Sequence, residues 1–439
     1  MAKLVYDETG RLLFTKEMKE EYTLLMPQML PVHFAMMKRL LELEGYRVDM
    51  LTTNHRGIVD EGLKYVHNDT CYPALLVIGQ LIDAVKHGGY DPHKVALLIT
   101  QTGGGCRASN YIHLLRKALE KADMAYIPVI SVNLSGMEKN PGFNVMTIPF
   151  IRKAVFAMMY GDLIVNVANQ VRPYEVEAGA ADAMIETWEK RLIDGFQQGK
   201  GMNFKQMTGN FDRIVADFAA IPVAGEEKVR VGVVGEIYIK YSPLGNNNLE
   251  QFLLSEGAEP VVPGLTDFII FKIFNRVVDV DIYGGHWAKK KACLIFMGYI
   301  ERCQKAMIAA LKKSRFRAPG TFGEMHQLVQ GYLGDGNKMG EGWLLTGEML
   351  ELIHSGVGSI VCTQPFGCLP NHIVGKGMIR KLKDDYPYSN IVAIDYDPGA
   401  TKINQENRIK LMLANAKGLA KEQEEAHAQA RETLPAGAV

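Results

Sequence analysis

Short apolar runs alternate with stretches of helical period in two separate parts of this chain, and that alternation narrows the fold to α/β. In the first part the runs are Tyr22–Met26, Tyr46–Leu51, Val95–Thr100 and Ile127–Asn133. The helical stretches between them are Pro31–Glu44, Cys71–His87 and Tyr111–Asp123. Strands that alternate with helices predict a parallel sheet covered on both faces. A hairpin is expected ahead of it, Lys3–Tyr6 against Leu12–Thr15, turned at Asp7–Gly10. The second unit begins at Val229–Tyr238 and continues with a helix around Leu249–Glu256 and a strand at Pro260–Val262. It closes with helix Gly347–Ser355, strand Gly358–Thr363, helix Asn371–Asp385, strand Asn390–Asp395 and a final helix Gln405–Ala416.

This pattern divides the chain into an N-terminal α/β domain over 1–150, a helical connector over 151–225 and a second α/β domain over 226–420. Within the second domain, 265–335 reads as a helical insertion, and 421–439 reads as a charged, Ala-rich tail that frays. Strand, cysteine loop and helix recur in the same order in both halves: Val95–Thr100, Gln101–Arg107, Tyr111–Asp123, then Gly358–Thr363, Gln364–Cys368, Asn371–Asp385. No sequence repeat accompanies this architectural echo.

Four of the six cysteines fall at places where such a fold builds a site. Cys71 lies in Asn68-Asp69-Thr70-Cys71-Tyr72-Pro73, and Cys106 follows Gly103-Gly104-Gly105. Cys362 and Cys368 bracket Thr363-Gln364-Pro365-Phe366-Gly367. Open parallel sheets bind ligands outside the carboxyl ends of their strands. Several thiolates converging there predict a soft-metal or iron–sulfur site. Cys71 is expected to open a helix, with Thr70 or Asp69 as N-cap, and Cys106 to be followed by Ser109 and Asn110 as caps. A helix N-terminus would lower both thiol pKa values. The three glycines permit backbone amides to approach a ligand. Cys362, near the end of a buried run, fits either a core residue or a ligand, whereas Cys368 sits in a Gly/Pro loop that suits a ligand. His372 and Lys376 could face the same cleft, though both types are commoner on surfaces. Cys293 and Cys303 share a helical stripe with Phe296, Ile300, Met307 and Leu311, which predicts core packing.

The chain has 439 residues, of which 47% are apolar, enough for two or three cored domains. Lys+Arg and Asp+Glu both number 49, so the balanced charge argues against a nucleic-acid binder. The basic cluster Lys312–Arg317 reads as a solvated helix end. No apolar run reaches the ~20 residues of a membrane span, and no signal-peptide core opens the chain. A cytoplasmic location is expected, and with it cysteines that are not a disulfide framework. Gly334–Gly340 is Gly-rich but follows no strand and lacks GK[ST], and Gly232-Val233-Val234-Gly235 is not GxGxxG. Autonomous ATP hydrolysis and dinucleotide binding are therefore not predicted. Asn246–Asn248 suits a helix cap, Arg172–Glu175 a polar knot between domains, and Glu236, Asp395 and Asp397 stand where acids could act.

Taken together, Asn68–Ala74, Gly103–Tyr111, Arg172–Glu175, Gly232–Lys240 with Pro243–Asn248, Gln364–Gly377 and Ile391–Lys402 resemble the 2-hydroxyacyl-CoA dehydratase component family. The resemblance is closer to its double-cubane-cluster branch, a domain that also forms the C-terminal part of long fused activase proteins, and it covers about residues 3–415. It implies two flavodoxin-like domains with an iron–sulfur cluster between them, either [4Fe-4S] or double-cubane. It implies cluster ligands at Cys71, Cys106 and Cys368, the last followed by Pro370, with Cys362 as an optional fourth. Six thiolates for a double cubane would recruit Cys293 and Cys303 as well. It further implies a homodimer, a separate ATP-hydrolysing iron–sulfur activator as electron donor, and a small-molecule substrate reduced at an open iron. The alternatives are a 2-hydroxyacyl-CoA dehydratase subunit, a non-catalytic electron carrier or cluster protein, and a zinc-stabilised binding module. No catalytic residue is assigned.

Overall fold

The computed structural model describes residues 2–67, 69–102, 104–133, 138–145 and 147–432, with side chains described to residue 418. Asn68 and Gly103 of the cysteine motifs, and 433–439 of the expected tail, lie outside the described residues. The chain opens with an antiparallel hairpin, β1 (Val5–Tyr6) and β2 (Leu12–Leu13). The first sheet then comprises β3 (Thr23–Pro27), β4 (Arg47–Leu51), β5 (Val95–Thr100) and β6 (Val129–Val132). The second comprises β7 (Arg230–Gly235), β8 (Glu259–Val261), β9 (Ser359–Pro365) and β10 (Asn390–Tyr396).

Both sheets are parallel throughout, with strand orders β4-β3-β5-β6 and β8-β7-β9-β10. Counted within each unit, both orders are 2-1-3-4, the doubly wound arrangement of flavodoxin-like folds. The α/β fold class expected from the alternating pattern is the one observed. Helices cover both faces, so successive strand residues enter different cores. Leu24 and Met26 of β3 join one core while Leu25 joins the other, and Ile360 and Cys362 of β9 oppose Val361 in the same way. That two-sided burial is why the strands read as near-continuous apolar runs.

Three long helices, Ile148–Val171, Ala180–Gln197 and Phe204–Ala219, join the units. The helices Leu265–Tyr283, Trp287–Leu311 and Phe322–Val329 fill the expected insertion. The junction of all parts is held by Asp162 of the first connector helix. Its carboxylate accepts from His33 Nε2 (2.8 Å) on the first domain and from the amides of Leu265 and Thr266 (both 2.8 Å) that open an insertion helix.

Several boundaries differ from the sequence expectation. A helix at Arg56–Tyr65 was not anticipated. The expected run Val229–Tyr238 stops as a strand at Gly235, which adopts φ +140°, and Glu236 then caps a helix over Ile237–Tyr241. A side chain at Gly235 would meet the Thr363 carbonyl at 2.2 Å, so strand packing demands the glycine there. The expected helix Asn371–Asp385 is instead a π turn over Asn371–Gly375, a 3-10 turn over Lys376–Met378 and a regular helix over Ile379–Asp385. The cause lies in Asn371. Its side-chain amide is drawn to the Thr363 carbonyl (2.7 Å), and Gly375 yields room for the Asn371 Oδ1. The last helix extends over Lys402–Glu432, beyond the expected Gln405–Ala416. Among the described residues no helix is long and apolar enough to cross a membrane.

Candidate metal centre between the sheets

The carboxyl ends of the two sheets face each other. Asn54 Nδ2, beyond β4, donates to the Pro243 carbonyl beyond β7 (3.0 Å), and Arg56 donates to Pro398 O beyond β10 (2.8 Å). The order reverses between β3 and β5 in one sheet and between β7 and β9 in the other, so both switch points lie along the gap between the two sheets.

Cys71, Cys106 and Cys368 are delivered to this gap from three loops. Cys71 is itself the N-cap of helix Tyr72–His87, with no side-chain cap before it, which corrects the assignment of Thr70 or Asp69. Its neighbour Tyr72 donates its amide to the Phe366 carbonyl (3.0 Å), tying the first domain to the Cys368 loop. Gly367 adopts φ +73°, and a Cβ on it would lie 2.9 Å from Cys71 Cα, so only glycine lets the two cysteine loops touch. Cys106 caps a 3-10 turn over Arg107–Ser109. Ser109 does not cap the next helix. Its hydroxyl donates to Gly104 O (2.7 Å) and accepts from Gly104 N (2.8 Å), which folds the glycine loop on itself. Asn110 precedes helix Tyr111–Lys121 without a side-chain cap bond.

The three thiols share an electrostatic environment. Burial raises all three above the usual thiol pKa, taking Cys106 up to about 11. Glu236 adds to the rise in each, and Glu341 adds to it in Cys106 and Cys368. Cys71 acts on Cys106, and Cys106 on Cys368. The expected lowering by helix N-termini is thus overturned, because desolvation of the charged form outweighs a partial dipole charge. All six cysteines are free thiols.

Sequence reasoning missed most of the groups around this trio. Tyr111, on the helix after Cys106, places its hydroxyl 2.9 Å from Cys71 Sγ. Burial raises the phenol pKa well above its ordinary value, so the hydroxyl keeps its proton and can donate to the Cys71 sulfur. Glu236 accepts from the Ile239 amide (2.9 Å), and Glu341 accepts from the amide of Ile237 (3.1 Å). Burial, then Glu341, push the Glu236 carboxyl well up from its usual range. Lys272 donates to Gly340 O (2.8 Å), and burial lowers its pKa against the opposing pull of Glu341 and Cys106. Glu341 and Met339 belong to the Gly-rich 334–342 segment, whose only sequence signal was its failure to match a phosphate loop.

The remaining cysteines are not brought to the trio. Cys362 is fully buried inside β9, and its thiol lies 3.6 Å from Asn371 Oδ1. Burial pushes it up to about 12, and none of the three crevice thiols acts on it. Cys303 is in the core as expected, while Cys293 and Phe296 lie on a part of their helix that reaches beyond it. Lys376 pairs with Asp395 at 2.8 Å on the surface, and His372 is exposed.

Among the described residues, no three His, Cys, Asp or Glu side chains stand close enough to share one metal ion. A mononuclear zinc site gains no support from that spacing. An iron–sulfur cluster takes one thiolate per iron, and cysteine is the side chain that ligates it. Three desolvated thiols with raised pKa values are costly to ionise without a compensating positive charge. Compared with known families and with curated proteins, the chain matches none.

Proposed function

We propose that the protein is an iron–sulfur protein which accepts low-potential electrons and passes them to a small molecule in the gap between its sheets. What supports this reading is that the Cys71 and Cys368 loops, from opposite sheets, touch at Gly367, and that Cys71 and Cys106 both act on Tyr111. Those three residues would hold the cluster, which supplies one-electron chemistry when bound. Tyr111 would donate to the Cys71 sulfur, and Glu236 would hold a proton close to the reacting centre. The family resemblance adds the electron source, a separate ATP-hydrolysing iron–sulfur activator, and this division of labour agrees with the lack of a phosphate-binding loop here.

The test is anaerobic purification followed by iron and acid-labile sulfide analysis. A brown protein with the two in near-equal amounts is expected, and Cys71→Ala, Cys106→Ala or Cys368→Ala should each lower both. A colourless, iron-free protein from anaerobic cells would overturn the reading. Water elimination from a 2-hydroxyacyl-CoA in the presence of a reducing activator would make the reaction a dehydration instead of a net reduction.

A further inference from the structure

A cavity of about 200 Å³ opens where the connector, the link into the second domain and the end of the insertion helices meet. Gln170 and Tyr174 line it from the first of these, 223–225 from the second and 315–317 from the third. Two motifs singled out in the sequence come together here, Arg172–Glu175 and the basic cluster Lys312–Arg317. The cluster is not wholly a solvated helix end. Lys312 and Lys313 are exposed past helix Trp287–Leu311, whereas Arg315 and Arg317 line the cavity.

The walls are held in place by the chain itself. The Arg317 amide donates to Gln170 Oε1 (2.8 Å), and Gln170 Nε2 donates to Arg317 O (3.1 Å). The Ala224 amide donates to Tyr174 O (2.8 Å) and the Val176 amide to Pro222 O (3.1 Å), which ties the link to the connector. The Tyr174 hydroxyl accepts from the Lys228 amide (3.1 Å) and donates to Glu259 Oε2 (2.9 Å). Such a site is formed before any ligand arrives, as small-molecule sites usually are.

Its lining carries two guanidinium groups and no carboxylate. Arg317 pairs with Glu259, which is fully buried. Arg315 has no carboxylate partner among the described residues. It donates only through Nη2, to the Phe218 and Ile221 carbonyls (3.4 and 3.3 Å) past the end of helix Phe204–Ala219. Its other N–H groups are unspent, and a guanidinium fork matches the oxygens of a phosphate or carboxylate. The cavity is smaller than the roughly 300–1,000 Å³ of sites that take drug-sized ligands, so it suits an anion of few atoms.

We infer that this cavity binds a small oxyanion, a phosphate or a short dicarboxylate, with Arg315 as its anchor and Arg317 beside it. The site shares no lining residue with the cysteine loops, so it stands apart from the iron–sulfur reading. Isothermal titration calorimetry on the full-length chain tests it, with inorganic phosphate and separately with malonate. Saturable one-to-one binding with Kd below about 1 mM is expected at about 0.15 M ionic strength, where loose surface charge is largely screened. Arg315→Ala should weaken it roughly tenfold, the loss of one charge-assisted pair. Val223→Trp should weaken it at least as much by filling the cavity. Val223 is 36% exposed, so the larger ring enters no packed core and no charge is lost. Arg39→Ala is the control, because Arg39 pairs with Glu42 on an exposed helix face (2.7 Å), and it should bind as wild type does. Tighter phosphate binding assigns the occupant as a phosphate compound, and tighter malonate binding as a dicarboxylate. No saturable binding of either anion to the wild type overturns the inference. Unchanged affinity in either cavity variant overturns it too, as does an equal loss in Arg39→Ala.

Discussion

Gly367→Ala is the sharpest single test of the crevice. The added methyl would stand 2.9 Å from Cys71 Cα and 3.2 Å from Cys71 N, both backbone atoms, so no side-chain swing can relieve it. The residue must also keep φ +73°, or the loop that carries Cys368 must move. Left-handed strain in an L-residue costs about 1–2 kcal/mol, and overpacking adds roughly 1–3 kcal/mol. The sum, about 2–5 kcal/mol, is a large share of the ~5–15 kcal/mol that typically holds a domain folded. Relaxing it means separating the Cys71 and Cys368 loops. Gly257→Ala is the control, because Gly257 has φ +75° and nothing within 4 Å of an added Cβ. Urea unfolding of the metal-free chain should show a clearly lower midpoint for Gly367→Ala than for Gly257→Ala. Anaerobically isolated Gly367→Ala should also carry much less iron, with Gly257→Ala near wild type. Equal midpoints and equal iron in the two variants would refute the argument that contact between these loops assembles the site.

Two further outcomes are expected. Asp162→Asn should destabilise the chain by about 1–3 kcal/mol at neutral pH, because it removes a buried carboxylate that accepts from His33, the Thr266 hydroxyl and the amides of Leu265 and Thr266. Burial works to raise the Asp162 carboxyl, but His33, Thr266 and the Leu265 amide outweigh it and hold it below its usual value. Its contribution is therefore present above the unfolded carboxyl pKa and is lost as pH falls through the folded one. The gap between wild type and Asp162→Asn should close in acid denaturation curves, and a constant gap would contradict this. Cys362→Ala should leave iron content unchanged while weakening the core by roughly 1 kcal/mol, whereas a loss of iron equal to that of Cys71→Ala would make Cys362 a ligand.

Apolar alternation, strand ends and cysteine loops were legible in the sequence because each is local. Tyr22–Met26 or Val95–Thr100 can be read as buried parallel strands without knowing their neighbours, and Cys106 and Cys368 fall beside turn residues just after strands, whereas Cys71 follows the unanticipated helix Arg56–Tyr65. The even 2-1-3-4 order follows less directly, since strand order depends on which face each crossover takes. Cys362 shows the limit of local reading. Its position at the end of an apolar run was visible, but what covers its face of β9, the face it shares with Ile360, depended on elements distant in the chain. The break in the Asn371–Asp385 helix originates in Asn371 reaching back to Thr363.

The amino-acid order alone determined two α/β units and the loops on which the thiols ride, because hydrophobic periodicity and glycine placement act over a few residues. Only tertiary structure decided the electrostatics of the gap. Glu236, Glu341 and Tyr111 act on the thiols from separate elements, and Glu341 comes from more than 200 residues beyond Cys106. The sign of the thiol pKa shifts was decided there too. A helix dipole can be anticipated from sequence, whereas the desolvation that defeats it exists only once the two sheets close over the cysteines.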